Sequence, residues 1–144
     1  MKPEDGSENW GIKMSKNILK IVSDAHDALG IEYGFGEYSG NPKTGKIVYP
    51  YSVGEYSETE QLFEDGMQET NFILNLFHRG DWLGLETAKE KIEKYFNKVG
   101  GKKVMAADGS VAVVFYANAL IVPTGDAELK RIQINLHCKE WRVD

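Results

Sequence analysis

The sequence predicts an α+β fold in which two helices pack on one face of an antiparallel sheet of about four strands. Two observations indicate this class. Apolar residues recur three and four positions apart in two segments and alternate with polar residues in others, which distinguishes helices from strands. The links within each pair of strand-like segments are short, which favours antiparallel hairpins. The predicted order is α-β-β-α-β-β, within one domain over 14–144.

The first helix is predicted over 16–29, with Ser15 as its N-cap and Gly30 as its stop. Its apolar face holds Ile18, Ile21, Val22, Ala25 and Leu29. The polar residues 1–13 before it are expected to form a flexible N-terminal tail. The glycine-rich stretch 31–46 after it predicts an irregular connector, with a short strand near 31–35.

A hairpin is predicted next, with strands at 47–56 and 68–79 around an acidic loop at 57–66. Pro50 lacks an N–H donor, which predicts that the first strand is bulged or at a sheet edge. The aromatic residues of that strand are Tyr49, Tyr51 and Tyr56, and the acids of the loop are Glu58, Glu60, Glu64 and Asp65. An exposed tyrosine patch for a protein partner and internal packing remain equal alternatives here.

The second helix is predicted over 82–97, with Asp81 as its N-cap and a buried stripe that runs from Trp82 to Val99. A strand over 111–122 is apolar on both sides and is expected in the centre of the sheet. The last strand, 129–142, alternates cleanly. Its inward residues are Ile132, Ile134, Leu136 and Cys138, and its outward residues are Arg131, Gln133, Asn135, His137 and Lys139.

Composition excludes several classes of function. The chain has 144 residues and a formal charge of −5, which disfavours tight binding of nucleic acid or of anionic membranes. No apolar run approaches the roughly 20 residues that span a bilayer. The single cysteine excludes an intrachain disulfide and suggests a reducing compartment. We expect no cofactor and no metal.

Two motifs resemble catalytic signatures, and each departs from its pattern. Residues 40–46 match most of a phosphate-binding loop, but Ile47 replaces the required Ser or Thr and a strand-like segment follows. Asp24 and His26 are similar to the first metal motif of metallophosphoesterases, but the other histidine motifs of that family are missing. The two residues are instead expected on the solvated side of the first helix. A metal-dependent phosphoesterase-like enzyme therefore remains only an alternative.

Four segments, 49–55, 64–74, 85–92 and 123–134, resemble those of tail-terminator or tail-completion proteins of tailed phages and prophages. The resemblance implies a structural protein without catalytic residues. Such proteins are compact α+β domains that form rings, commonly hexameric, on the end of the tail tube. It implies self-association, contacts with tail-tube and head-connector proteins, and residence in the bacterial host cytoplasm before incorporation into the virion tail. A generic protein-interaction module is a further alternative.

A ring of identical subunits needs two different patches on each subunit. The first candidate patch is the hairpin, with Tyr49, Tyr51, Tyr56, Glu58, Glu60, Glu64 and Asp65. The second is the outward ladder of the last strand, with Arg131, Gln133, Asn135, His137 and Lys139. Opposite charge on the two patches favours head-to-tail docking, and charge reversal at Arg131 and Lys139 is predicted to abolish the oligomer.

Overall fold

The computed structural model of the protein describes residues 15–62, 67–97 and 99–141, and it describes 57–62 by their backbone alone. The elements are α1 (Lys16–Leu29), β1 (Glu32–Phe35), β2 (Tyr51–Leu62), β3 (Met67–Arg79), α2 (Trp82–Phe96), β4 (Lys102–Met105), β5 (Val111–Ile121) and β6 (Leu129–Trp141). The six strands form one sheet in the order β1-β2-β3-β6-β5-β4. The predicted tail 1–13 lies outside the described residues.

The prediction of about four strands in the order α-β-β-α-β-β is wrong in its count. The described chain follows α-β-β-β-α-β-β-β, because two four-residue strands, β1 and β4, flank the longer ones. The short strand expected near 31–35 is confirmed as β1. The sheet is mixed, since β1 runs parallel to β2 while every other pair is antiparallel. Strands of four residues are too short for periodicity to identify them from sequence.

The first predicted hairpin strand is displaced along the chain. It begins at Tyr51, directly after a cis Tyr49–Pro50 peptide bond, and continues to Leu62. Antiparallel pairing with β3 keeps the backbone extended past Ser57, with a register shift before Gln61. Glu58 and Glu60 therefore lie in β2 and not in a loop, whereas Glu64 and Asp65 lie outside the described residues.

Both helices begin and end as local sequence predicts. The Ser15 hydroxyl accepts a hydrogen bond from the Ile18 N–H at 3.2 Å, and Gly30 ends α1 with φ of 71°. The Asp81 carboxylate accepts from the Gly84 N–H at 2.9 Å at the start of α2. These caps satisfy backbone donors that a helix terminus leaves unpaired.

The core lies between the helices and one face of the sheet. α1 supplies Ile18, Ile21, Val22 and Ala25; α2 supplies Leu85, Ala88, Ile92 and Phe96; the strands supply Phe72, Leu74, Leu76, Ala112, Val114, Tyr116, Ile132, Ile134, Leu136 and Cys138. The inward set predicted for β6 is confirmed. The buried stripe predicted for α2 is wrong at both ends, because Trp82 is about half exposed and Val99 is 92% exposed. Val99 lies beyond the helix, which ends at Phe96.

β5 is only partly the central strand that its apolar sequence predicts. β6 pairs with it along nearly its whole length, but β4 pairs only with Val111–Val114. In the described part of the chain, no strand pairs with the outer edge of β5 after Val114. The Tyr116 N–H donates to the Asn97 carbonyl at 3.2 Å, and beyond it the apolar side chains of Leu120 and Ile121 are exposed.

Candidate interaction surfaces

The sheet face opposite the helices, called here the open face, carries the outward ladder of β6. β3 pairs with β6 over thirteen consecutive residue pairs, which places the odd-numbered side chains of both strands on this face. The odd-numbered ladder residues are all partly exposed, and they alternate with buried residues. The predicted ladder therefore exists as a continuous surface feature.

The polar side chains of the ladder bond to neighbours on their own sheet. The Arg131 guanidinium donates to Asn75 Oδ1 at 2.7 and 3.2 Å. Gln133 Nε2 donates to Asn135 Oδ1 at 3.0 Å, and Asn135 Nδ2 donates to Asn118 Oδ1 at 2.7 Å. These bonds hold the side chains in fixed positions, which lowers the conformational entropy that a partner would have to remove on binding.

The lower half of the ladder lies among charged and aromatic groups. His137 Nε2 lies 3.2 Å from Glu69 Oε2, and the Lys139 ammonium lies 6.0 Å from the centre of the Phe115 ring. Arg131 and Lys139 are eight residues apart along β6, a separation of about 27 Å. The two cations of the ladder thus occupy opposite ends of the open face.

The two predicted patches are neighbours on one surface. β3 belongs to the hairpin and lies directly beside β6, so hairpin residues such as Glu69 and Phe77 share the open face with the ladder. The sequence does not predict this proximity, because strand order across a sheet depends on contacts between residues distant along the chain. Whether they meet in a ring remains a prediction.

The three hairpin tyrosines do not form one patch. Tyr51 stacks between Tyr38 and Phe77, with ring centres 4.5 and 5.1 Å away, and Tyr49 lies 5.5 Å from it. Burial in this stack, and then the neighbouring Tyr49, raise the pKa of Tyr51. The spacing itself contained the relevant signal, since positions five apart on a strand point to opposite faces.

Tyr56 lies on the helix-covered side of the sheet. Its ring packs against Phe72 at 5.3 Å, and its hydroxyl oxygen accepts a hydrogen bond from the Ser15 N–H at 2.8 Å. This contact ties β2 to the start of α1. Tyr56 is therefore placed to stabilise the fold rather than to extend the open face.

A second surface, which sequence reasoning missed, is an apolar groove between the start of α2 and the part of β5 that extends beyond β4. This β5 groove has a volume of about 840 Å³. It is lined by Trp82, Leu83, Glu86, Lys89, Ala119, Leu120, Ile121 and Ile132. Leu83 is 73% exposed and Ile121 is 62% exposed, whereas monomeric proteins seldom leave such residues grouped in the open. Its signal in the sequence is the apolar run 119–122, which belongs to the strand predicted for the centre of the sheet.

The metal-like motif of α1 does not form a metal site within the described residues. Asp24 pairs with Lys20 at 2.9 Å on the surface. His26 is buried, which corrects its predicted solvated position: it follows Val22 by one helical turn and stacks on Tyr33 with ring centres 4.2 Å apart. Burial lowers the pKa of His26 to about 4. No group of three or more His, Cys, Asp or Glu side chains that could hold a metal occurs in the described part of the chain.

The other chemical motifs are also accounted for by structure. The phosphate-loop-like segment is a closed turn, in which the Asn41 N–H donates to the Lys46 carbonyl at 2.8 Å, and no helix follows it. Cys138 is buried in the core, as predicted, and burial raises the pKa of its thiol. Such a thiol is a poor nucleophile.

The fold defines the class of the protein: an α+β protein whose two helices cover one face of a six-stranded mixed sheet and leave the other face open. The sequence matches no protein-family model and no curated protein. Among solved structures, the chain is similar to a chain described as "Virion of native gene transfer agent (GTA) particle". The match has a TM-score of 0.58 and 10% identity, and it covers 81% of this chain and 83% of the other. At this identity the match shows a shared fold.

Neither of the two described helices has the length and apolar character needed to cross a membrane.

Proposed function

We propose that the protein is a structural component of a phage or prophage tail, a ring-forming terminator or completion protein at the head–tail junction. The observation that carries this proposal is the fold shared with a chain of a virion over four-fifths of both lengths. The sequence resemblance to tail-terminator and tail-completion proteins independently leads to the same class. In this role the protein is not an enzyme.

The surfaces of the described residues support a role in assembly. The open face presents a fixed array of polar side chains, and the β5 groove presents exposed apolar ones. These are different surfaces, one polar and one apolar, and a closed ring of identical subunits uses two different patches per subunit. The proposed partners are other copies of this chain, the tail-tube protein and the head-connector protein. The formal charge of −5 favours protein partners over nucleic acid.

Two measurements test the proposal. Native mass spectrometry of the purified protein is expected to show a closed ring with a fixed number of copies. When the protein is added to the polymerising tail-tube protein of the same particle, the tubes are expected to stop at a limited length and to carry the ring at one end. A protein that stays monomeric and does not bind or limit the tubes would contradict the proposal.

The enzyme alternative is tested separately. Hydrolysis of a phosphodiester with added Mn²⁺ or Mg²⁺ is expected to be at background and unaffected by Asp24→Asn, because Asp24 is paired with Lys20 on the surface. Metal-dependent hydrolysis that disappears in Asp24→Asn would favour the enzyme.

A further inference from the structure

The β5 groove combines two features that call for an occupant. It exposes apolar side chains, and β4 pairs with the adjacent edge of β5 only as far as Val114. The Tyr116 N–H on this edge donates to the Asn97 carbonyl at 3.2 Å, so the edge that concerns the groove is 117–121. An exposed strand edge presents N–H and C=O groups that a further strand can pair with. The occupant expected from this combination is an extended segment with apolar side chains on one side.

The chain contains such a segment outside the described residues. Residues 10–14 read Trp-Gly-Ile-Lys-Met, in which apolar side chains occupy positions 10, 12 and 14. Alternation with period two is the pattern of a strand that buries one side. Trp10, Ile12 and Met14 would place three large apolar side chains into a groove of about 840 Å³.

The geometry excludes the groove of the same chain. Met14 is bonded to Ser15, and the start of α1 is fixed at the opposite end of β5, where Asn17 Nδ2 donates to Ser110 Oγ at 3.1 Å. From Ser110 to Ala119 the strand extends about 30 Å. A segment that begins beside Ser110 therefore cannot lie along the last five residues of its own β5.

We propose that residues 10–14 of one copy add a strand to the edge of β5 in a neighbouring copy and bury Trp10, Ile12 and Met14 in the β5 groove. This inference rests on the proposed ring and names its contact. Because the donor segment and the acceptor groove are different surfaces at opposite ends of the sheet, the contact is compatible with head-to-tail repetition from copy to copy.

Cross-linking between two single-cysteine variants tests the contact in the full chain. Asn9→Cys is mixed with Glu86→Cys, which lies on the rim of the groove, and a short bismaleimide is added. The native Cys138 is buried and does not compete. Val99→Cys is the matched control, since Val99 is more exposed and lies beyond the far end of α2, about 22 Å from its start. We expect several-fold more cross-linked dimer with Glu86→Cys than with Val99→Cys.

A second pair of variants measures assembly directly. Leu83→Asp places a charge in the groove and is expected to shift the protein to monomers in light scattering, whereas Val99→Asp leaves assembly unchanged. Both side chains are exposed, so neither change should unfold the protein. The proposed contact is wrong if the wild type assembles, Leu83→Asp assembles equally well, and Glu86→Cys cross-links no more than Val99→Cys. That result would leave the proposed ring unaffected. If the wild type is monomeric and does not limit tail tubes, both proposals are wrong.

Discussion

The helix-covered face and the open face of the sheet hold their polar side chains in different ways. On the covered side, three buried polar atoms, His26 Nε2, Tyr33 Oη and Ser52 Oγ, have no hydrogen-bond partner within the described residues, although Asn17 at the edge of the core donates to Ser110 and Glu140. On the open face, Arg131, Asn135 and their neighbours bond to one another. The stability of the fold should therefore depend on apolar burial on the covered side, while the open face is available for recognition.

The largest expected contrast comes from adjacent residues of β3 that point to opposite faces. Phe72 is fully buried on the covered side, so Phe72→Ala is expected to lower the free energy of unfolding by about 3–5 kcal/mol. Ile73, on the open face, is only partly buried, and Ile73→Ala is expected to cost about 1 kcal/mol. Urea unfolding of both variants measures the difference. Equal losses would mean that the open face also contributes a packed core.

The pH dependence of stability provides the second contrast. Burial lowers the pKa of His26 from 6.5 to about 4 in the folded state, so between these values the unfolded state binds the extra proton. The free energy of unfolding should therefore fall as the pH drops from about 6.5 to about 4, by roughly 3 kcal/mol in total.

Two variants identify the histidine responsible for this pH effect. His26→Phe keeps a ring beside Tyr33 and should flatten the profile in this range. His137→Gln changes the histidine of the open face and should leave the fall in place. If the free energy of unfolding of His26→Phe still falls as the pH drops while that of His137→Gln does not, the pH effect comes from the open face and the prediction is wrong.

The features that sequence predicted correctly are local ones. The caps at Ser15, Gly30 and Asp81 depend on bonds to residues three or four positions away, and the alternation of β6 depends on its own pattern. The parallel pairing of β1 with β2 and the short strand β4 depend on residues distant in sequence, and propensity does not report such contacts.

The candidate surfaces were predicted only in part, for the same reason. The ladder follows from alternation along one strand. The β5 groove depends on where neighbouring elements stop: β4 pairs with β5 only to Val114, Tyr116 is still buried, and Leu120 and Ile121 are exposed. An apolar run such as 119–122 is therefore compatible with a core strand or with an exposed edge. The burial of His26 depends in turn on Tyr33, which β1 brings over α1.

The third largest change in the free energy of unfolding is expected from a substitution at a glycine on the covered side of the sheet. A Cβ atom at Gly54 would lie 2.7 Å from Tyr33 Oη and 2.8 Å from the Phe72 ring. Gly54→Ala should therefore lower the free energy of unfolding by about 1–3 kcal/mol through overpacking. In Gly54→Ala/Tyr33→Phe the nearest atom is removed, and part of the loss should return. Full stability of Gly54→Ala in thermal unfolding would show that the covered side is loosely packed at this position.

The smallest effect on stability and the most informative one on assembly is expected at the end of the ladder. Lys139 is partly exposed and lies opposite Glu69 on β3, so Lys139→Glu should lower the free energy of unfolding by up to about 1 kcal/mol through the like-charge pair that it creates. Arg131→Glu reverses the charge at the other end of the ladder, but it also removes two hydrogen bonds to Asn75, so its effect on assembly is harder to assign to charge alone.

If the ladder docks on an acidic patch, Lys139→Glu should weaken assembly most at low salt, where charges are least screened. Lys139→Gln, which removes the charge without reversing it, should have an intermediate effect. The measurement is the oligomer fraction by light scattering across a salt series. An oligomer that is unchanged in Lys139→Glu at every salt concentration would assign assembly to the β5 groove alone and leave the open face for other partners.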